Sequence, residues 1–457
     1  MVHGVSGSLP HPRKDICNRH PMACLCALAL LLAPAAALDN SAPRSRTPPL
    51  GWSSWVGLGP GWPGPDAQPA KFDYCDAAGV KATADAFFDV GLYAAGYRHL
   101  HLDDCWADRQ RNASGFLQAR RQRFPDGMEP VADYVRAKGL TFGLYTCAGK
   151  YTCVGGLPGS KDHWEQDAAV FAEWGVDWVK MDWCYTDGMD ARESYKKMSD
   201  ALNKTGRPIH LNTCEWGEHE PWKWGPEVAQ SFRATGDHVG RWWSTKVVIK
   251  NRTTAVPPEL GGSPYAWNDM DFLQTGNYMQ AAPVGGNLHA NMTPTEYKTE
   301  FSMWAILASP LVVTTPLLNC STGTCRPSIT ALQQEILLNT EVLDINQDVT
   351  PAGRLLWPAA FDTPGLKIYG RLLSDGSVAV ALYNPEDRAR QGFVDFSLLG
   401  WPRGTAAAVR DLWAHLDLGL ATDRFPPAGR NASVEAHGTA VYRLRRSFAG
   451  APSELLV

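Results

Sequence analysis

Acidic residues close a series of short β-rich runs in this chain. Asp103 and Asp104 end HLHLDD at His99–Asp104, Asp182 ends WVKMD at Trp178–Asp182, and Glu215 ends IHLNTCE at Ile209–Glu215. Asp237 ends SFRATGD at Ser231–Asp237, and Asp269 and Asp271 lie within AWNDMDF at Ala266–Phe272, with Lys180 and Arg233 among them. Carboxylates crowded around one pocket repel each other unless a cation, a Lys or Arg, or a polyhydroxylated substrate compensates. The crowding drives their pKa values apart, which is what separates a nucleophile from a proton donor. Two such carboxylates, further hydroxyl-binding acids and Trp rings together describe glycosidase chemistry. Asp182 follows Lys180 by two residues, so both share one strand face, and the ammonium is expected to favour an ionised Asp182, as a nucleophile requires. Asp237 lies past Gly236, in the loop leaving the next run but one. From there it can approach the other side of a scissile bond and, once a sugar excludes water, hold a proton for the leaving oxygen.

A scaffold must gather these strand ends. LGWSSW at Leu50–Trp55, FGLYTC at Phe142–Cys147 and SPLVVT at Ser309–Thr314 bring the β-rich runs to eight. Helical periods fill the gaps at Ala78–Ala95, Gly127–Lys138, Trp164–Trp174 and Ser194–Asn203. Eight strand–helix units over roughly 300 residues predict a (β/α)8 TIM barrel across 48–346, with its active site at the C-terminal strand ends where the acids stand. Beyond it, Leu366–Leu373 and Ser377–Tyr383 flank Ser374-Asp375-Gly376, a hairpin signal. Gly392–Ser397, Ala407–Leu412, Ser433–Ala436 and Thr439–Leu444 are further short strands. They predict an antiparallel β-sandwich over 354–447, joined near Thr350–Gly353. The fold class is α/β with this second domain appended.

Charge excludes one large class of partner. Lys and Arg number 43 against 47 Asp and Glu, net −4, and no basic run is present, so no nucleic-acid partner is expected. Met22–Leu38 reads MACLCALALLLAPAAAL, with Arg13, Lys14 and Arg19 upstream and Ala35-Ala36-Ala37 as a cleavage site. It is a signal peptide over residues 1–38, starting from Met1 or Met22, and no membrane association is expected after its removal. N-x-[ST] sequons at Asn112, Asn203, Asn251, Asn291, Asn319 and Asn431 point to the secretory pathway, with the destination outside the cell, lysosomal or vacuolar. Of 11 cysteines, Cys17, Cys24 and Cys26 leave with the leader, and eight remain, which permits disulfides. No C-x2-C or H-E-x-x-H occurs, and no metal or cofactor is expected. His99, His101 and Asp103 have the H-x-H-x-D spacing of a barrel metal site, but the last strand ends Thr314-Thr315 with no acid. Both histidines are read instead as filling the barrel interior beneath Asp103.

The chain resembles the α-galactosidase / α-N-acetylgalactosaminidase family of glycoside hydrolases over about residues 48–445. The resemblance rests on TPPLGWSSW at Thr47–Trp55, LDDCW at Leu102–Trp106, Lys180-Met181-Asp182, CEWG at Cys214–Gly217 and WGPEV at Trp224–Val228. FRATGDH at Phe232–His238, WNDMDFLQTGN at Trp267–Asn277, INQD at Ile345–Asp348 and RDLWAH at Arg410–His415 complete it. It implies a barrel with a C-terminal β-sandwich and a retaining α-galactosidase, with Asp182 the nucleophile and Asp237 the acid/base. It further implies that Lys180 binds the sugar, and that Asp103 and Asp104 bind the 4- and 6-hydroxyls, helped by Trp52 or Trp55. Glu215 and Arg233 would face the 2-hydroxyl, and Tyr145 and Asp271 would line the pocket. Disulfides Cys75–Cys105 and Cys153–Cys184 are implied as well. Cys320–Cys325 is a further candidate pair, and Cys147 and Cys214 are either free or paired with each other. By residue chemistry alone Glu215 could instead pair with Arg233, and Lys180 with Asp182. Cys147, Phe232 and Met270 replace the family's usual Asp, Trp and Pro, and one extra residue lies between Cys153 and Pro158; these bear on the pocket wall rather than the catalytic pair. The expected partner is a galactose-containing carbohydrate, and a homodimer is left open. The alternatives are a β-L-arabinopyranosidase on the same fold and an inactive galactose-binding protein.

Overall fold

The computed structural model describes residues 37–42, 44–57, 75–277, 290–319 and 325–447. Eight parallel strands form one curled sheet: β1 Leu50–Ser53, β2 His99–Leu102, β3 Thr141–Cys147, β4 Trp178–Asp182, β5 His210–Cys214, β6 Ser231–Arg233, β7 Trp267–Asp269 and β8 Leu311–Val313. Neighbours follow chain order, and β8 returns to β1. The ring closes just past β7, where the Leu273 amide donates to the Val312 carbonyl (2.9 Å) and the Thr314 amide to the Leu273 carbonyl (3.1 Å). Each predicted run holds a strand. Because β5, β6 and β7 end at Cys214, Arg233 and Asp269, the acids Glu215, Asp237 and Asp271 fall in the exit loops rather than on strands.

Helices Ala77–Asp89, Glu129–Ala137, Trp164–Glu173 and Ala191–Lys204 occupy the segments whose period predicts them. Asp76 and Asp190 cap two of these, accepting the amides of Gly79 and Glu193. The first stops before the predicted Ala95 because Gly91 takes φ +87°, a helix-ending conformation. Helix Pro294–Ile306 is buried almost all round, since it packs against both β8 and the C-terminal sheet. That burial removes the one-sided apolar stripe by which a helix is read from sequence.

Trp178 fills the barrel interior, with the rings of His99, His101 and His210 centred 5.1, 5.3 and 5.4 Å away. Gly143 makes room for them: a Cβ there would lie 2.9 Å from His101 Nδ1. This packed layer is the floor on which the strand-end side chains stand.

The C-terminal part is a six-stranded antiparallel sheet in the order Arg354–Trp357, Lys367–Leu372, Val378–Tyr383, Thr439–Ser447, Ala406–Asp411, Leu416–Thr422. Two short pairs, Arg390–Gly392 with Ala432–Val434 and Val394–Asp395 with Arg424–Phe425, are held by a shared core that includes Ile368, Val380, Phe396 and Leu444. The predicted hairpin turn is present, with Gly376 at φ +79° and Asp375 accepting the Ser377 amide. The sequence reading missed Arg354–Trp357 and Leu416–Thr422. The buried Arg371 ties this sheet to the barrel by donating to the carbonyls of Ile345 (2.6 Å), Asp348 (2.9 Å) and Thr350 (2.8 Å).

Cys75–Cys105 and Cys153–Cys184 are disulfides, with Cα separations of 6.2 and 5.1 Å. Cys147 and Cys214 are free and buried. Cys325 is disulfide-bonded, while Cys320 lies outside the described residues, as do residues 1–36 of the leader. Among the described residues no helix is long and apolar enough to cross a membrane.

Candidate active site

The tips of β3, β4 and β5 stand abreast, so that Cys147, Asp182 and Cys214 form one row across the sheet, with Tyr145, Lys180 and Asn212 two residues below. Asp182 is buried. Its Oδ1 accepts the Trp183 amide (2.9 Å) and its Oδ2 accepts the Tyr145 hydroxyl (3.0 Å). Lys180 Nζ donates to Asp103 Oδ2 (2.9 Å), and the rings of Phe272, Tyr145 and Trp55 surround it at 4.6, 5.3 and 5.5 Å. The Asp103 amide donates to Ser54 Oγ (2.9 Å), which holds the end of β2 against β1. Asp104 Oδ2 accepts the Val154 amide (3.1 Å) from the loop that the Cys153–Cys184 disulfide anchors. Gly149 lets that loop lie against the exit of β4, where a side chain would collide with the Cys184 carbonyl.

Burial sets the protonation of this group. Desolvation pushes Asp104 up to about 8, so it is a neutral acid able to donate as well as accept a hydrogen bond at neutral pH. Asp103 is equally buried, yet the Lys180 ammonium and His101 outweigh desolvation and hold it below the usual carboxylate range. Burial raises Asp182; the ammonium of Lys180 opposes this and the charge of Asp237 adds to it.

A second cluster lies at the ends of β5, β6 and β7. The buried Arg233 guanidinium reaches Asp237 Oδ1 and Asp271 Oδ1, each at 2.9 Å, and donates to Cys214 Sγ at 3.3 Å. Asp271 sits in the left-handed region (φ +79°) and its Oδ2 accepts the His238 amide (2.6 Å), fixing the residue that follows Asp237. Burial pushes Asp271 up to about 6 against the opposing charge of Arg233. His238 packs on Trp304 and is buried, which lowers it to about 4; its Nδ1–H donates to the Phe272 carbonyl (3.1 Å) and its Nε2 accepts from Thr245 (3.0 Å). Asp237 itself is 43% exposed. Asp269 accepts the Asn212 amide nitrogen (3.0 Å) and the Asp271 backbone amide (2.8 Å), a bracing position within the strand layer.

The structure decides between several readings that the sequence left open. Lys180 pairs with Asp103 rather than Asp182, because β2 brings that carboxylate directly to Nζ, and desolvation raises Asp182 despite the ammonium. Glu215 does not pair with Arg233. Its side chain is fully buried, Oε2 accepts the His219 amide (2.6 Å) and contacts His219 Nδ1 (2.8 Å), and Oε1 has no hydrogen-bond partner among the described residues. Of the two tryptophans expected beside the sugar, Trp52 is a core residue whose indole donates to the Thr315 carbonyl (2.7 Å), while Trp55 faces Lys180. Cys147 and Cys214 do not pair; Asp182 stands between them in register, and Cys147 Sγ donates to the Cys184 carbonyl (3.2 Å). Sequence reasoning missed the Trp183 amide, Ser54 and Val154, since backbone donors and a small hydroxyl carry no distinctive sequence signal. The direct bond of Tyr145 to Asp182 was legible only as a lining role.

The two clusters place one fixed, desolvated carboxylate and one accessible carboxylate at the mouth of the same barrel, with a neutral acid and an anchored ammonium between strands β2 and β4. The sequence profile of α-galactosidase A covers residues 47–348, and that of the α-galactosidase C-terminal β-sandwich domain covers residues 363–444. α-Galactosidase A of Cellvibrio japonicus is 36% identical over 379 residues, 81% of this chain and 83% of that one. The crystal structure of α-galactosidase I from Mortierella vinacea superposes with a TM-score of 0.75 at 27% identity, covering 88% of this chain and 98% of that one. The α-galactosidase of Saccharomyces cerevisiae solved with raffinose gives a TM-score of 0.70 at 28% identity, covering 88% and 98%. The profile match spans most of the chain and the relatives align with more than four-fifths of it: this chain belongs to the α-galactosidase family of glycoside hydrolases.

Proposed function

We propose that the protein removes terminal α-linked galactose by double displacement with net retention. Asp182 attacks the anomeric carbon, and Asp237 gives its proton to the leaving oxygen and then takes one from the incoming water. The observation that carries this reading is the contrast in how the two are held. Asp182 has both oxygens occupied by donors that also orient it for attack, Trp183 N–H and Tyr145 O–H, while Asp237 keeps access to water and a single ion pair. Two carboxylates close enough to act on one anomeric centre, one as nucleophile, give a covalent glycosyl-enzyme. Tyr145 donates to the ionised form of Asp182, which offsets part of the desolvation and keeps the carboxylate available.

Asp103 and Asp104 are read as ligands of the 4- and 6-hydroxyls, Lys180 as bracing Asp103 and contacting the sugar, and Trp55 as a stacking wall. A protonated Asp104 suits a 6-hydroxyl, which favours galactose over arabinopyranose, a sugar without that group. Glu215 and Arg233 are read on the 2-hydroxyl side, so a galactoside should exceed the matching N-acetylgalactosaminide by up to about 10⁴-fold in kcat/KM. The raffinose bound by the yeast relative is consistent with a galactosylated oligosaccharide as substrate. The leader and sequons support a site of action outside the cell or in a lysosome or vacuole. The test is the NMR anomer of the first-formed galactose from an aryl α-galactoside. An α product is expected, whereas a β product means inversion and removes Asp182 from the role of nucleophile.

A further inference from the structure

All six sequon asparagines, Asn112, Asn203, Asn251, Asn291, Asn319 and Asn431, are exposed. Asn112 differs in what surrounds it. It opens a tight turn in which its amide donates to the Phe116 carbonyl and the Gly115 amide donates to the Asn112 carbonyl, both at 2.9 Å. Its side-chain Oδ1 accepts the amides of Ser114 and Phe116, again both at 2.9 Å. These two bonds fix the plane of the carboxamide and leave Nδ2, the atom that carries an N-linked glycan, without a hydrogen-bond partner among the described residues. The turn borders a cavity of about 440 Å³ whose lining includes Asn112, Phe116, Gln118, Arg121, Glu173 and Trp174. Trp174 cannot collapse into it, because it packs edge-on against Trp106 (centroids 5.6 Å, interplanar 89°).

This lining matches a pyranose bearing an acetamide. Aromatic rings receive the apolar C–H face of a sugar, and Arg, Gln and Glu side chains at the edge meet its hydroxyls and N-acetyl group. We propose that the cavity seats the first N-acetylglucosamine of a glycan carried by Asn112. The proposal rests on the reading that the chain enters the secretory pathway, where a lipid-linked diphospho-oligosaccharide is the donor. Attachment forms the bond from Nδ2 to the anomeric carbon, breaks that carbon's bond to the diphosphate, and releases one amide proton. The seated sugar stiffens a wall shared with the active site, since the Trp106 indole donates to the Tyr145 carbonyl (3.0 Å).

The experiment compares wild type with Ser114→Ala, which destroys the sequon and leaves Asn112 in its turn. Both are made in a eukaryotic secretory host and trimmed with endoglycosidase H to one N-acetylglucosamine per occupied site, so beyond the Ser114 substitution they differ only in the sugar at residue 112. Peptide mass analysis should find Asn112 occupied. Wild type should melt about 1–2 °C higher and exchange amide hydrogens more slowly across residues 111–124. Phe116→Ala, introduced into both, should erase the difference. An unmodified Asn112, equal melting and exchange in the first pair, or a difference that survives Phe116→Ala each overturns the proposal. None of these readouts involves turnover, so failure of the proposed activity would leave the result standing.

Discussion

The end of β4 and the end of β6 each present one aspartate to the barrel mouth, and they hold it in opposite ways. Asp182 is the last residue of its strand, is 7% exposed, and has donors on both oxygens. Asp237 lies four residues beyond the end of β6, is 43% exposed, and is tied through one oxygen to Arg233. A nucleophile gains from fixed orientation and from shedding water, because attack needs one geometry and little reorganisation. A proton donor that must serve a leaving group and then an incoming water gains from access and a short range of motion. The buried Arg233–Asp271–His238 brace lets both exist at one mouth: it fixes the loop around Asp237 without enclosing the carboxylate itself.

The sharpest way to break the comparison is to remove each acid in turn. Asp182→Ala should lower kcat/KM by at least about 10⁴-fold on every substrate, since no other group can form the glycosyl-enzyme. Its melting temperature should hold or rise, because a desolvated carboxylate is lost. Asp237→Ala should be selective. Substrates with poor leaving groups should slow by about 10²–10⁴-fold, while activated aryl galactosides, which need little protonation, keep the first step nearly intact. Equal losses on both substrate classes in the Asp237 variant would show that the two positions do not divide the labour.

A smaller effect isolates the role of fixation at β4. Tyr145→Phe removes the hydroxyl that donates to Asp182 Oδ2 and accepts the Cys153 amide (3.4 Å), at a cost of about tenfold in kcat/KM for the hydrogen bond to a charged group. The sign in pH follows from the same bond. Asp182 is already raised by burial, so activity falls as pH drops through that raised value. Removing a donor to the ionised form raises it further, and the acid limb of the kcat/KM profile should move to higher pH. An unmoved limb would assign Tyr145 to packing alone.

What the sequence made legible follows the same divide. The barrel could be read because each strand is a short β-rich run closed by polar residues, and the row at β4 because Lys180 and Asp182 are in fixed alternation on one face. The loops could not. Alternation says nothing about Arg233 reaching both Asp237 and Asp271, nor about Glu215 turning onto His219 four residues later, since loop paths decide those pairings. Helix Pro294–Ile306, buried on nearly all sides between the two sheets, shows no apolar stripe to read. The edge strand Leu416–Thr422 escaped for the opposite reason: Leu416, Leu418 and Leu420 alternate as a strand should but face solvent, and Gly419 and Asp417 read as a turn.

The smallest expected effect concerns the support behind the β7 loop. Glu300, fully buried on helix Pro294–Ile306, accepts the Gln274 amide (2.8 Å) on Oε1 and the Thr275 hydroxyl (3.0 Å) on Oε2, and lies 3.5 Å from the neutral His238. Burial pushes it up to about 8 from an ordinary 4.5. The folded protein therefore keeps a proton at this site over a range in which the unfolded chain has lost it. Its stabilising contribution is complete below about 4.5 and drains away as pH rises toward about 8. Glu300→Gln keeps an oxygen for the Gln274 amide and offers an NH₂ group to the Thr275 hydroxyl, without a proton to lose. The variant should melt close to wild type near pH 4.5 and gain on it steadily to pH 8, by about 1–3 °C at the upper end. Because Asp237 is held by Arg233 and not by Glu300, its leaving-group selectivity should not change. A melting difference that stays flat across the range would mean that Glu300 does not hold its proton in the folded state, and that the β7 loop is braced by a buried charge instead.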